Sequence, residues 1–167
     1  MSNILYIVVP CYNEQEVLPE TSKRLREKVQ TLRQSGKIDA DSRILFVNDG
    51  SKDATWEMVQ KLHEENSVFS GVNLSRNRGH QNALLAGIAV AAEHADMIVS
   101  MDADLQDDVD AMDRMIDAYE TGNDIVYGVR SSRQKDTFFK RNTAQLFTGC
   151  FISWGRRSCT ITRITGC

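Results

Sequence analysis

"MIVSMDADLQDD", residues 97–108, changes character halfway along. Met97, Ile98 and Val99 are apolar, and then Asp102, Asp104, Asp107 and Asp108 fall within seven residues. A strand buried in an α/β sheet ends in a polar loop in this way. Carboxylates packed so closely repel one another, and each one withdrawn from water costs free energy unless a positive charge offsets it. The stretch thus raises two linked expectations: a sheet whose strands end on a polar rim, and a cation that belongs at that rim.

Working outward, apolar segments of the same kind recur at Ile4–Val9, Arg43–Val47, Gly71–Leu74, Met97–Met101 and Asp124–Val129. Their Ile and Val content without clean alternation suits strands covered on both faces. Helical spacings separate them. Leu18, Leu25, Val29 and Leu32 recur at intervals of seven, four and three, stopping before Gly36. Trp56, Val59 and Leu62 mark a second helix, capped by Ser51 or Asp53. Ala83, Leu84, Gly87, Ile88 and Ala91 mark a third. Val109, Met112, Met115, Ile116 and Tyr119 mark a fourth, with Gly122 as its stop. Strand–helix alternation predicts a mostly parallel sheet with helices on both faces and right-handed crossovers.

Ligands on such sheets bind beyond the carboxyl ends of the strands, and the polar motifs of this chain all fall there. "PCYNE" (10–14), "NDGS" (48–51), "SRNRGHQNA" (75–83), "DADLQ" (102–106) and "RSSR" (130–133) follow the five segments in turn. The rest of the sequence narrows the class. A chain of 167 residues is one ordinary domain, and its net charge of -3 lacks the basic excess of a nucleic-acid binder. The longest apolar run, 83–92, is half the length needed to cross a bilayer. Ile4–Val9 is too short for a signal-peptide core, so the expected location is the cytoplasm. Cys11, Cys150, Cys159 and Cys167 form no CxxC pair and read as free thiols, with Cys11 a small buried filler.

At the rim, Asp102 and Asp104 stand two apart, which in an extended segment aims both carboxylates the same way, with Gln106 a third oxygen in reach. Hard oxygen donors that leave room for water and phosphate describe Mg²⁺ or Mn²⁺ rather than zinc. A plainer role stands beside this one: Asp107 or Asp108 caps the following helix. Asp49, in a tight Asp-Gly-Ser turn, has an acceptor suited to a ring N–H of uracil or guanine, although such turns are common helix starts. Tyr12 offers a ring to pack beside a base. Glu14 either binds a hydroxyl or the base, or begins the first helix. Arg130, Arg141 and Arg76 are cations for a pyrophosphate, or solvated surface residues. His80 stands at a helix start, whereas His63 and His94 read as helix-face residues.

Together "VVPCYNE", "FVNDGSKDAT", "LSRNRGHQNALLAGI", "MDADLQDD" and "VYGVR" resemble family 2 glycosyltransferases of the GT-A fold, in particular polyprenyl-phosphate sugar transferases and dolichol-phosphate mannose synthases. The resemblance spans about residues 4–147, with the motifs in family order. It implies a nucleotide pocket lined by Pro10, Tyr12, Glu14, Val47 and Asp49, with Ala103 beside the ribose. Asp102 and Asp104 match the family's DxD pair, Gln106 completes the metal shell, and Arg130 and Arg141 fall near the donor diphosphate and the acceptor phosphate. The implied reaction is an inverting, divalent-metal-dependent transfer of a sugar from a nucleotide-sugar to a polyprenyl phosphate. The implied partners are that donor and a lipid acceptor of undecaprenyl or dolichyl type. Asp49 suits uracil or guanine equally, and the bacterial look of "NRGHQNALLAGI" favours UDP-glucose over GDP-mannose. An aspartyl-phosphate receiver or phosphatase also places aspartates at strand ends, but "DADLQ" lacks the context of a phosphorylatable residue.

The resemblance divides the chain into a GT-A domain over 1–147 and an atypical tail over 148–167. No acidic residue follows Asp136, and "GCFISWGRRSCTITRITGC" shows neither helical nor strand period. The tail reads as the mark of a truncation or a shifted reading frame. On that reading the expectation is a domain that binds nucleotide-sugar but transfers slowly, with membrane contact left to segments found in full-length relatives. Phe151, Ile152 and Trp154 then make self-association an expected consequence.

Overall fold

A computed structural model describes residues 3–104, 108–128 and, as backbone, 160–163. The elements run β1 (Leu5–Cys11), α1 (Leu18–Gln34), β2 (Arg43–Asn48), α2 (Thr55–Glu65), β3 (Phe69–Asn73), α3 (His80–Ala91), β4 (Met97–Ser100), α4 (Ala111–Glu120), β5 (Ile125–Tyr127) and β6 (Thr160–Arg163). They form one six-stranded sheet in the order β3-β2-β1-β4-β6-β5. β1 lies parallel to β2 and to β4, and β2 lies parallel to β3. β6 is antiparallel to both of its neighbours, so β5 runs in the same direction as β4. The order reverses at β1, which makes the gap between the β1 and β4 loops the switch point where this kind of sheet binds ligands.

The apolar runs became strands because they can be buried from both sides. On one face, Leu5, Ile7, Val9, Ile44 and Phe46 pack with Leu18, Leu25, Val29 and Leu32 of α1, Val59 of α2, and Met112, Met115 and Ile116 of α4. On the other, Val8, Leu45, Val47 and Ile98 pack with Ala83 and Ala91 of α3. α3 lies unusually close to the sheet. A Cβ at Gly87 would come within 2.4 Å of a Val8 methyl and 2.7 Å of a Val47 methyl, so no larger residue fits there without movement.

Three details depart from the sequence reading. In β3 only Phe69 is buried while Gly71 and Asn73 are exposed, and β5 exposes Ile125 and Tyr127, because both strands lie at sheet edges. The N-cap position of α2 falls to Ala54, which has no side-chain cap, and not to Ser51 or Asp53; of those two, Asp53 accepts the backbone N–H and the hydroxyl of Thr55. The sheet also takes a strand from the stretch in which no strand period is visible, with Thr160–Arg163 seated between β4 and β5. A four-residue strand is too short to display a period, and its place is decided by partners far away in sequence.

Candidate active site

The loops after β1 and β2 are joined by a ladder of side-chain hydrogen bonds. Asn13 donates its N–H to Ser51 Oγ at 3.0 Å, and its Oδ1 accepts from the N–H of Lys52 at 2.8 Å. Glu14 donates its N–H to Thr55 Oγ1, Gln15 to Asp53 Oδ2, and Gln15 Oε1 accepts from the N–H of Ala54. Asn13 sits at φ 55, a left-handed conformation that asparagine tolerates better than most residues. Sequence reasoning missed this set. Each residue looks like an ordinary turn former, and the partners are separated by 38 to 41 residues.

Asp49 follows β2 and is 2 % exposed. Its two carboxylate oxygens accept the backbone N–H groups of Arg78 at 2.7 Å and of Gly79 at 2.9 Å. The turn therefore holds the loop that leads into α3. Gly50 makes this approach possible: at φ +64, a Cβ there would lie 2.5 Å from the carbonyl carbon of Arg76. By count, each carboxylate oxygen has a second lone pair beyond the one its amide partner occupies.

Asp102 and Asp104 follow β4, but not in the extended conformation that their spacing suggested. β4 ends at Ser100 and residues 103–104 form a turn. Ala103 is buried, and its carbonyl accepts the hydroxyl of Thr21 in α1 at 2.6 Å. Both flanking carboxylates remain partly exposed. His80 Nε2 stands 3.6 Å from Asp102 Oδ1, which brings the start of α3 to the same place. Glu14, from the β1 loop, completes the cluster. Its pKa is raised first by burial and then by repulsion from Asp104, Asp53 and Asp102. Loops after β1, β2, β3 and β4 thus converge on one rim, as the motif positions implied.

The remaining expected residues divide. Tyr12, the residue after β1, is 39 % exposed. Pro10 is buried at the end of β1, paired with Val47. Val47 is fully buried with its side chain under α3, so it supports the pocket from within the core and presents no side chain to a ligand. The Glu14 carbonyl, rather than its carboxylate, starts α1 by accepting from Val17 and Leu18. Asp108 accepts the N–H of Asp110 in the turn ahead of α4, but the N-cap position itself is Asp110 and has no side-chain cap, so Asp108 is not the cap expected. Cys11 is a buried filler whose thiol pKa is pushed far up by burial and by Glu14. Arg76 is exposed, and His63 instead bonds the Phe69 carbonyl. Gln106, Asp107, Arg130, Arg141, Phe151, Ile152 and Trp154 lie outside the described residues.

The ion expected at this rim is Mg²⁺ or Mn²⁺. Among the described residues, no group of three or more His, Cys, Asp or Glu side chains is arranged to hold a metal by itself. Asp102 and Asp104 nonetheless fit one that draws its other ligands from phosphate oxygens and water, the usual mode for small hard cations. The raised pKa of Glu14 is owed first to burial, and its smaller contribution from repulsion by Asp104, Asp53 and Asp102 is the part such a cation would relieve. Among the described residues, no helix is long and apolar enough to cross a membrane.

Comparison with known proteins agrees with this arrangement. The profile of "Glycosyl transferase family 2" matches residues 6–166, and so includes β6 and the stretch beyond residue 147. An uncharacterised glycosyltransferase of Bacillus subtilis, YkoT, is 50% identical over 141 residues, 84% of this chain and 42% of the relative. The bactoprenol glucosyl transferase of Shigella phage SfV is 36% identical over 141 residues, 84% of this chain and 43% of its own length. This chain therefore spans less than half the length of these relatives. Glucosyl-3-phosphoglycerate synthase from Mycobacterium tuberculosis, solved with Mn²⁺, UDP and glucosyl-3-phosphoglycerate, superposes with a TM-score of 0.57 at 18% identity. The match covers 96% of this chain and 57% of that one. The sheet is that of the GT-A glycosyltransferases, and the chain belongs to glycosyl transferase family 2.

Proposed function

We propose that this chain is the donor-binding domain of an inverting enzyme that moves a sugar, glucose in the favoured reading, from a nucleoside-diphosphate sugar to a polyprenyl phosphate. The observation that carries the proposal is the convergence of Asp102, Asp104 and Glu14 beside the Asp49 turn at the switch point of the sheet. The bactoprenol glucosyl transferase relative supports the lipid acceptor and the glucosyl donor.

In this reading Asp49 accepts a ring N–H of the base, and Tyr12 packs against the ring. Pro10, Val47 and Ala103 shape the walls through backbone and core. Asp102 and Asp104 hold Mg²⁺ or Mn²⁺, which when bound neutralises charge on the donor diphosphate. Arg130 and Arg141 supply further positive charge for donor and acceptor phosphates, and Gln106 adds an oxygen to the metal shell. An acceptor phosphate oxygen forms its bond to the anomeric carbon as the bond to the donor's β-phosphate oxygen breaks. The nucleoside diphosphate leaves with the electron pair, and attack from the opposite face inverts the anomeric centre. A phosphate acceptor is already an anion at neutral pH, so no side chain is required to remove a proton.

The test is transfer of labelled sugar to a polyprenyl phosphate in detergent, with UDP-glucose and GDP-mannose compared as donors. The proposal expects a polyprenyl-phosphate sugar of inverted configuration, formed faster from UDP-glucose. Nucleotide binding without lipid-linked product would restrict this chain to the donor half. Transfer to a sugar hydroxyl in preference to the lipid phosphate would overturn the acceptor assignment.

A further inference from the structure

We propose that Thr21 is a positioning residue for the metal-binding carboxylates, its hydroxyl fixing the turn that carries Asp102 and Asp104. The inference rests on the reading of those two aspartates as metal ligands.

The buried residues of α1 are Leu18, Thr21, Ser22, Leu25, Val29 and Leu32. Two of them carry hydroxyls: Ser22 donates to the Pro19 carbonyl of its own helix at 2.9 Å, whereas Thr21 reaches outside the helix to Ala103. Thr21 is 1 % exposed, and a buried hydroxyl is costly unless it is bonded. It has one proton to donate. Two carbonyls are in reach, that of Ala103 at 2.6 Å and that of Val17 at 3.0 Å. The Val17 carbonyl already accepts the Thr21 backbone N–H at 3.0 Å, as helical geometry requires. The shorter contact therefore takes the proton, and it ends on the residue between the two aspartates.

The rest of α1 and the end of β4 agree with such a role. Met101 donates its N–H to the Val8 carbonyl at 3.1 Å, fixing the chain as it leaves β4. On the far side of the loop, Lys28 of α1 bonds Asp110 at 2.8 Å and also Asp113 of α4. α1 thus grips both flanks of the loop, and Thr21 is its attachment nearest the carboxylates. With the hydroxyl removed, the Ala103 carbonyl loses its buried donor, and the angle between the two aspartates is no longer held.

The experiment titrates Mn²⁺ into the 167-residue chain in the presence of UDP and, in parallel, of GDP, for the parent, Thr21→Val, Thr21→Ser and Thr21→Ala. Circular dichroism establishes which variants are folded. The expected result for Thr21→Val is a Mn²⁺ half-saturation about tenfold higher than the parent's, with metal-free nucleotide affinity unchanged within about twofold. Thr21→Ser, which restores the hydroxyl, returns the half-saturation to within about twofold of the parent. Thr21→Ala carries the same test if the valine variant does not fold. A folded valine or alanine variant with the parent's Mn²⁺ half-saturation would overturn the inference, even if its melting temperature fell. A parent whose nucleotide binding is indifferent to Mn²⁺ would overturn the metal reading, and the inference with it.

Discussion

Asp49 has two tasks that pull on the same two oxygens. It holds the backbone of Arg78 and Gly79, and in the proposed function it also meets the base. Asp49→Ala is expected to weaken nucleotide binding by about 1–3 kcal/mol with or without metal, the range for a lost charge-assisted hydrogen bond. Because the same change releases two amides, hydrogen exchange at Arg78 and Gly79 should accelerate in the unliganded protein. Calorimetry and exchange together check this; unchanged affinity in a folded variant would return Asp49 to a purely structural role. Glu14 allows a test of the electrostatics. Its pKa is raised, so the fold favours its neutral form. The stability it contributes is complete below the unfolded-state pKa and is lost as pH rises through the folded-state value. At pH 7 the charged carboxylate therefore works against the fold. Glu14→Gln is expected to melt at a higher temperature than the parent at pH 7 without metal, the difference closing as pH falls below the ordinary glutamate range. Thermal melts across pH, with no such convergence, would contradict the raised pKa of Glu14 and with it the burial and the crowding by Asp104 and Asp102 that raise it.

Among the elements, α1 is tied to both ends of the segment between β4 and α4, through Thr21 and Lys28. Lys28 is held between Asp110 and Asp113. Burial works against its charge, but the hydrogen bonds to both carboxylates outweigh it and keep its pKa above the usual lysine value. Its side chain is 11% exposed. Lys28→Met is expected to cost about 1–2 kcal/mol in urea unfolding, since it leaves partly buried Asp113 with less compensation. If the α1–α4 grip shapes the metal loop, the same variant also raises the Mn²⁺ requirement for nucleotide binding, by less than Thr21→Val does. The helices and long strands were legible because buried strands are continuous apolar runs and α1 carries a clear stripe. Within α1, spacing alone shows a gap of seven between Leu18 and Leu25. That the gap holds a core-facing hydroxyl emerges only when its partner, 82 residues away, is in place. The Asn13–Ser51 ladder was hidden for the same reason, and β6 by its shortness.

At the scale of the whole molecule, the sheet order explains why motifs scattered from residue 10 to residue 104 lie together. With β1 at the reversal, the loops after β1 and β4 meet, and the β2 loop reaches them through the hydrogen-bond ladder. The polar character of this rim was readable from the positions of Asp49, Asp102 and Asp104 after apolar runs. The conformation of the Asp102–Asp104 turn was not, because pleated spacing and a turn both place residues two apart near each other. The measurement that tests the central claim most directly is calorimetry of UDP and GDP binding to the parent and to Asp104→Asn, each in Mn²⁺ and in EDTA. The account predicts that the parent binds more tightly in Mn²⁺ than in EDTA. In Mn²⁺ it predicts that Asp104→Asn loses about 1–3 kcal/mol, and in EDTA that the two proteins bind alike. Equal affinity of parent and variant in Mn²⁺ would contradict it.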